Sequence, residues 1–478
     1  MAARKVERDK FRSTMFVSRP SLPRVRIKKA GPGRAISAIY CRIMSGPNSP
    51  SSPPTFSKAA AATALATLPV SRFVHAASDD TIKIAMVGCG GRGTGACVQA
   101  MNTPGATKLV AMCDVDDEQI AKSLSSIRAQ HHDKVDVPPD RQFTGFEDYK
   151  RAIAEADVCI LATSPGFRPI HFEEAVRQGK HVFMEKPVAV DAPGVRKILE
   201  AAKIAKQKNL KVGVGMQRRH QPTYQEAVRR LHDGAIGDIV SMRVYWDGNA
   251  REGKERLPGE EEMRYQIRNW YYFTWLSGDH ICEQHIHNID VMCWIKNGPP
   301  VRAQGMGGRQ VRNQKINGQI YDHHQVEYEF ADGSRCYSQC RQIRGCWPSV
   351  SEHVVGTKGS CDLVQQRKLF QITGPNAWTK RLKRSEHGHQ LEHYPLFRAI
   401  RENKHHMEAE YGALSTMTAI LGRMCTYSGK KIEFADAIKS DLALVPYGEE
   451  LTMDSTPPVL PDAEGWYPVA VPGQTVAM

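Results

Sequence analysis

From residue 81 onward the chain alternates two hydrophobic patterns. TIKIAMV (81–87), KLVAMCD (108–114), ADVCILAT (156–163), KHVFMEKP (180–187) and LKVGVGM (210–216) are short, nearly continuous apolar runs. Such runs predict strands buried on both faces. Between them lie stretches of helical character: TGACVQAM (94–101), FEEAVRQG (172–179) closed by Gly179, and APGVRKILEAAKIAKQ (192–207) with Pro193 near its first turn. Alternation of this kind predicts a parallel sheet with helices on both sides. Past residue 216 the pattern changes. A helix is predicted over 223–237, and DIVSMRVYWDG (238–248) alternates with period two, as a strand with one exposed face does. HHQVEYEFADGSRCYSQC (323–340) reads as a hairpin turning at Asp332-Gly333, so this half predicts a largely antiparallel sheet.

Composition changes this picture only at the N-terminus. A hydrophobic fraction of 41% with 24% charged residues is that of a folded protein. The net charge of +14 suggests a nucleic-acid binder until it is located. Residues 1–78 hold 14 Lys and Arg against Glu7 and Asp9, which leaves 51 basic and 49 acidic residues for the remainder. A nearly neutral body lacks the field that phosphate binding needs, and no nucleic-acid partner is expected. Lys58, the run AAAATALATLPV (59–70) and the small-residue site at Val74-His75-Ala76 predict a signal peptide ending near Ala76. The expected destination is the periplasm, or the cytoplasm if the segment does not function as a signal; a retained amphipathic helix or linker is the alternative. Met44 stands where a signal of ordinary length would begin, and no Arg-Arg pair occurs in 1–78 to support twin-arginine export. No apolar run approaches 18 residues, so no helix is expected to span a membrane after processing. The cysteines include no CxxC pair, and Cys89, Cys113 and Cys159 are expected as buried thiols.

The candidate chemistry begins where the first strand breaks at GCGGRG (88–93). Gly88, Gly90 and Gly93 form G-x-G-x-x-G between a strand and a helix. The first glycine permits the tight turn, the second lets a pyrophosphate approach the backbone, and the third lets helix pack on strand. The second strand ends at Asp114, 21 residues beyond Gly93, where a carboxylate grips the adenine ribose. Val115, Asp116 and Asp117 follow it, with no Arg or Lys to receive a 2′-phosphate, so NAD is favoured over NADP. Gly91, Arg92 and Thr163, the last at the end of the third strand of the set, join this cofactor group. The reading is α/β. A Rossmann NAD-binding domain is expected over 79–215, and an α+β substrate and oligomerisation domain with a largely antiparallel open sheet over 216–443. An extension over 1–78 precedes them, and a tail without functional signal follows over 444–478.

GCGGRG, CDVD, ATSP, GKHVFMEKPVAVD and GVGMQRRH together resemble the Gfo/Idh/MocA oxidoreductases, clearly over about 80–300 and onward to about 440. By that resemblance Lys186 lies beside the nicotinamide and the reacting hydroxyl, and Glu185 contacts the nicotinamide-side ribose. An ammonium there favours a developing alkoxide.

The segment 268–298 carries the acid–base candidates. Placed on one helix, Cys282, Ile286, Ile289 and Cys293 form an apolar stripe, with His280, Glu283, His287 and Asp290 on an adjacent polar face. The resembled family has Asp-x-x-x-His here, which aligns Glu283 with the Asp and His287 with the base. Glu for Asp is a departure. A neutral imidazole is suited to take a hydroxyl proton, and a carboxylate one turn earlier can orient that ring and hold its tautomer, or bind a sugar hydroxyl. His285 falls on the opposite face, outside the site. His280, Glu283 and His287 could instead converge on a divalent ion; the resembled chemistry needs none, and no metal is expected. Trp270, Tyr271, Tyr272 and Trp275 either stack on a sugar or pack in the core, and Arg219, Trp270 and Tyr272 are the substrate candidates.

The expected activity is NAD-dependent hydride transfer involving a secondary hydroxyl of a sugar, glycoside or polyol, with Lys186, His287 and Glu283 as catalytic residues. One alternative is an NAD-dependent glycosidase that oxidises transiently and eliminates without net redox; another is a non-catalytic sensor of dinucleotide or sugar. A homo-oligomer through the C-terminal sheet is expected.

Overall fold

A computed structural model describes residues 80–478; the expected targeting segment lies outside the described residues. The first sheet contains β1 (Ile82–Val87), β2 (Thr107–Asp114), β3 (Gln142–Thr144), β4 (Val158–Leu161), β5 (His181–Met184) and β6 (Val212–Val214). Their order is β3-β2-β1-β4-β5-β6, and every pair is parallel. The apolar runs occupy this sheet, with Ile84, Ala85, Met86 and Ile160 wholly buried. The strand order reverses direction between β1 and β4, which opens a crevice at the carboxyl ends of the strands.

The second sheet has nine strands: β7 (Ile239–Gly248), β8 (Arg302–Gly308), β9 (His323–Glu329), β10 (Arg335–Gln342), β11 (Ser349–Gly356), β12 (Gly359–Val364), β13 (Leu369–Thr373), β14 (Trp378–Arg381) and β15 (Ile432–Glu433). It is antiparallel except where β7 runs parallel to β10. The β9–β10 hairpin closes through Phe330 N to Ser334 O (2.9 Å), with Gly333 at φ +83. The 20-residue helix Ala409–Ser428 packs on β8 and on the helix Ala192–Gln207, and so joins the two sheets through one buried core.

Residues 444–478 hold no regular element, yet they are built into the fold. Asp191 accepts the Leu444 amide (2.7 Å) and the Tyr447 hydroxyl (3.0 Å). Gln266 donates to the Val459 carbonyl (2.7 Å), and Tyr467 donates to Glu262 (2.6 Å). Leu451 and Tyr467 pack with Phe273 and Trp275 in an aromatic cluster. The described cysteines are all free, and all but Cys346 are buried. Among the described residues, no helix is long and apolar enough to cross a membrane.

Candidate active-site cleft

The glycine turn after β1 has a separate steric reason at each position. Gly88 has φ +97, and a Cβ there would stand 2.4 Å from the Thr163 amide nitrogen. A Cβ on Gly93 would stand 1.9 Å from the Gly88 carbonyl oxygen, so the helix Gly91–Met101 packs directly on the turn. Gly90 and Gly91 differ, since a Cβ on either would meet no atom within 4 Å. Their backbone faces an open cleft at the start of a helix with no acid in its first turn, an arrangement that favours an anion. Gly93→Ala is therefore expected to destabilise the fold by about 1–3 kcal/mol through overpacking, read as a lower urea midpoint.

Asp114 ends β2 on the cleft wall. Its carboxylate accepts the amides of Cys89 (2.6 Å), Val115 (2.8 Å) and Asp116 (3.2 Å). Burial raises its carboxyl above the usual range, against the pull of those three amides. Three backbone amides thus fix the carboxylate on the cleft wall.

The cleft, about 800 Å³, is lined by Gly90, Asp114, Thr163, Glu185, Lys186, Trp246, Trp270, Glu283 and His287 among others. Glu185 and Lys186 follow β5. Arg92 pairs with Glu185 and also reaches Gln99 (2.9 Å) and Glu392 (3.4 Å). Burial alone would raise the Glu185 carboxyl, but the Arg92 guanidinium outweighs it and holds the group well below the usual carboxylate range. Lys186 donates to the Glu283 backbone carbonyl and to Glu283 Oε1 (3.2 Å).

His287 is 6% exposed, and its ring stacks on Trp246 with centroids 5.8 Å apart. Burial pushes its imidazole well below the ordinary value, and the positive charges of Lys186 and Arg218 act in the same direction. Arg218 is itself buried and paired with Glu352, which also accepts Asn288 Nδ2 (2.7 Å) and the Tyr224 hydroxyl (3.2 Å). Burial, with Lys186 and Arg218 acting in the same direction, thus favours the neutral ring.

Several expectations for 268–298 change. The segment is not one helix; it forms His280–Glu283 and Ile286–Ile295, separated at Gln284 and His285. The break turns His280 into the core beside Asp279 and His324, so His280, Glu283 and His287 do not converge. Glu283 does not orient His287: no hydrogen bond joins the two among the described residues, and the carboxylate faces the nearby Lys186 cation instead. Asp290 accepts Arg219 in a fork (2.8–3.0 Å) and the Ser415 hydroxyl (2.8 Å). Arg219 is thereby drawn away from the cleft and lies over the Tyr411 ring at 4.0 Å. Tyr272 is likewise withdrawn, buried in the aromatic cluster with its hydroxyl on the Arg251 carbonyl, whereas Trp270 lines the cleft. Trp275 is core, donating to Gln266 (2.7 Å). His285 is buried against Ser338 (2.7 Å), outside the cleft.

The cleft also contains residues not singled out from sequence. Trp246 is one, and its place in the alternating 238–248 run was the available signal. Arg168 donates to the Thr163 carbonyl (2.7 Å), and His171 meets the Thr163 hydroxyl (3.2 Å). His389 stands 3.5 Å from Glu392, some 200 residues from Lys186, with no local motif to announce it.

A six-stranded parallel sheet with a glycine-turn crevice, beside a nine-stranded sheet that contributes the half-buried Trp246, defines a dinucleotide-binding protein of the two-domain oxidoreductase type. Residues 82–216 match the oxidoreductase family with NAD-binding Rossmann fold, and 224–362 match the GFO/IDH/MocA C-terminal domain. The chain belongs to the GFO/IDH/MocA oxidoreductase family. Among its relatives, inositol 2-dehydrogenase of Burkholderia multivorans is 29% identical over 237 residues, covering 49% of this chain and 60% of that protein. The same-named protein of Burkholderia vietnamiensis is 32% identical over 237 residues, with the same coverage. The matched stretch thus spans about three-fifths of these relatives. Levoglucosan dehydrogenase in complex with NADH and levoglucosan shares the fold, with a TM-score of 0.61 at 15% identity over 74% of this chain and 99% of that one. Scyllo-inositol dehydrogenase of Lactobacillus casei, with bound NAD(H) and scyllo-inositol, gives a TM-score of 0.57 at 22% identity over 74% and 99%.

Proposed function

We propose that this protein is an NAD-dependent oxidoreductase acting on a secondary hydroxyl of a cyclic polyol or sugar. The observation that carries the reading is that one cleft is lined by a glycine turn and Asp114 together with Lys186 and His287. The open backbone at Gly90 and Gly91 suits the pyrophosphate, Asp114 suits the ribose hydroxyls, and Arg92, Thr163 and Glu185 line the way to the reacting end. Bound NAD supplies the hydride acceptor. Lys186 Nζ stabilises negative charge on the substrate oxygen as the hydroxyl loses its proton, while Glu283 fixes the ammonium. A ring nitrogen of His287 takes that proton. Trp246 and Trp270 offer apolar faces to a ring bearing hydroxyls.

The named activity of the relatives, and the levoglucosan and scyllo-inositol in the structural neighbours, support a cyclic polyhydroxylated substrate. Exposed Val240, Met306, Tyr337, Trp347 and Val355, on or beside strands of the second sheet, support self-association through that sheet. The basic leader is assigned to export, with processing near Ala76, which N-terminal sequencing of the mature protein checks.

The decisive experiment incubates the purified protein with NAD and a panel of inositols, anhydrosugars and hexosides, following both NADH absorbance and aglycone release. NADH formation with a cyclic polyol is the expected result. Aglycone release without net NADH would redirect the assignment to a glycosidase, and failure to bind NAD(H) in fluorescence titration would end it.

A further inference from the structure

Outside the cleft, three metal-ligating side chains meet in the core. Asp279, His280 and His324 are each 0% exposed, and one donor atom from each lies within 4.8 Å of the other two. His324 Nε2 is 3.3 Å from Asp279 Oδ2, and His280 Nε2 is 4.0 Å from Asp279 Oδ1. Neither ring nitrogen of His280 has a hydrogen-bond partner, and His324 Nε2 makes no bond of good geometry. A buried polar atom left without a partner is costly, so an imidazole with both nitrogens in that condition calls for an explanation.

The surroundings are arranged as they are around a metal. His324 Nδ1 pairs with the Thr426 hydroxyl (2.9 Å), which fixes the ring with Nε2 toward Asp279. The Asp279 carboxylate is oriented by the Tyr427 hydroxyl (2.6 Å), the Tyr321 amide (3.0 Å) and the His280 amide. Outer hydrogen bonds of this kind set the tautomer and direction of metal ligands.

We propose that Asp279, His280 and His324 form a buried structural site for a divalent transition metal, with zinc the ion that fits. Two imidazoles and a carboxylate are a zinc donor set. Bonds of about 2.0–2.2 Å in a tetrahedron place donors roughly 3.4 Å apart, so His324 Nε2, 3.3 Å from Asp279 Oδ2, already has that spacing. The third donor, within 4.8 Å of the other two, closes by a shift of the unpartnered His280 ring. The site would tie three elements together: the start of the helix His280–Glu283, strand β9 and the end of the long helix Ala409–Ser428. Because Glu283 and His287 lie just beyond His280 in the chain, the metal would act as an anchor for the acid–base segment without touching substrate.

The test uses the full chain, expressed with zinc and dialysed against metal-free buffer, with metal content read by elemental analysis. About one zinc per chain is expected, and prolonged chelation should lower Tm. Cobalt exchanged into the protein should give the intense visible absorption of a tetrahedral N/O site. His280→Gln and His324→Gln should lose the metal, whereas His353→Gln, a histidine of the second sheet paired with Asp362, should keep it. A folded wild-type protein with no stoichiometric metal overturns the proposal. Undiminished metal in folded His280→Gln and His324→Gln also overturns it, by marking an adventitious ion only. If both variants fail to fold, the wild-type cobalt spectrum decides alone, and its absence is fatal to the site.

Discussion

His287→Ala is expected to lower kcat for alcohol oxidation by about 10²–10⁴-fold, the usual contribution of a positioned general base. Dinucleotide affinity should change little, because the pyrophosphate and ribose are assigned to the Gly90 turn and Asp114 and not to His287. The pH profile separates this role from a packing role. Burial, Lys186 and Arg218 all lower the imidazole pKa, so the neutral base is already present through the neutral range. The acid limb of kcat/KM for oxidation in the wild type should therefore lie below the ordinary imidazole value of about 6.5, and should vanish from the residual activity of the variant. A variant that lost activity only because Trp246 lost its stacking partner would retain the limb. Stopped-flow NADH formation across pH is the measurement.

Lys186→Met is expected to cost roughly 10²–10³-fold in kcat by removing the charge beside the developing alkoxide. It also leaves the Glu283 carboxylate, 13% exposed, without its cation. Breaking one side of such a pair destabilises more than replacing both sides. Lys186→Met alone should therefore lose about 1–3 kcal/mol of stability. The double variant Lys186→Met/Glu283→Gln should recover much of that loss in denaturant melts while remaining as slow as the single variant. If turnover recovers together with stability, Lys186 supports the fold and takes no part in the chemistry.

What could be read in the chain was what depends on near neighbours. The glycine turn, the strand ending at Asp114 and the segment after β5 each place their residues within one strand–turn unit, and local sterics decide them. The break at Gln284-His285 was not legible, because it is imposed from outside the segment. Asp279, at φ +72, begins the short helix, and Gln284 accepts Gln342 (2.7 Å) from β10. Arg219 left the predicted substrate set for the same kind of reason, since Asp290, far along the chain, supplies a two-pronged partner. His389 and the 444–478 tail reach their positions through long-range packing that no spacing encodes.

Strand β7 constrains the protein in a further way. It is central in its sheet, bonded on one side to β10 and on the other to β11, with Trp246 level with Cys340 and Val350. Its neighbours in the chain serve the opposite face, where Tyr245 meets Trp347 and His353, and Asp247 accepts Gln339. A one-residue slip would exchange the two faces and put Asp247 or Tyr245 beside His287 in place of Trp246. Side chains along β7 are thus free to drift in identity within limits, while the length of the strand is not. A one-residue insertion or deletion within β7 would therefore separate Trp246 from the His287 ring, whereas a change of length in the turns flanking the strand would leave the two rings in contact.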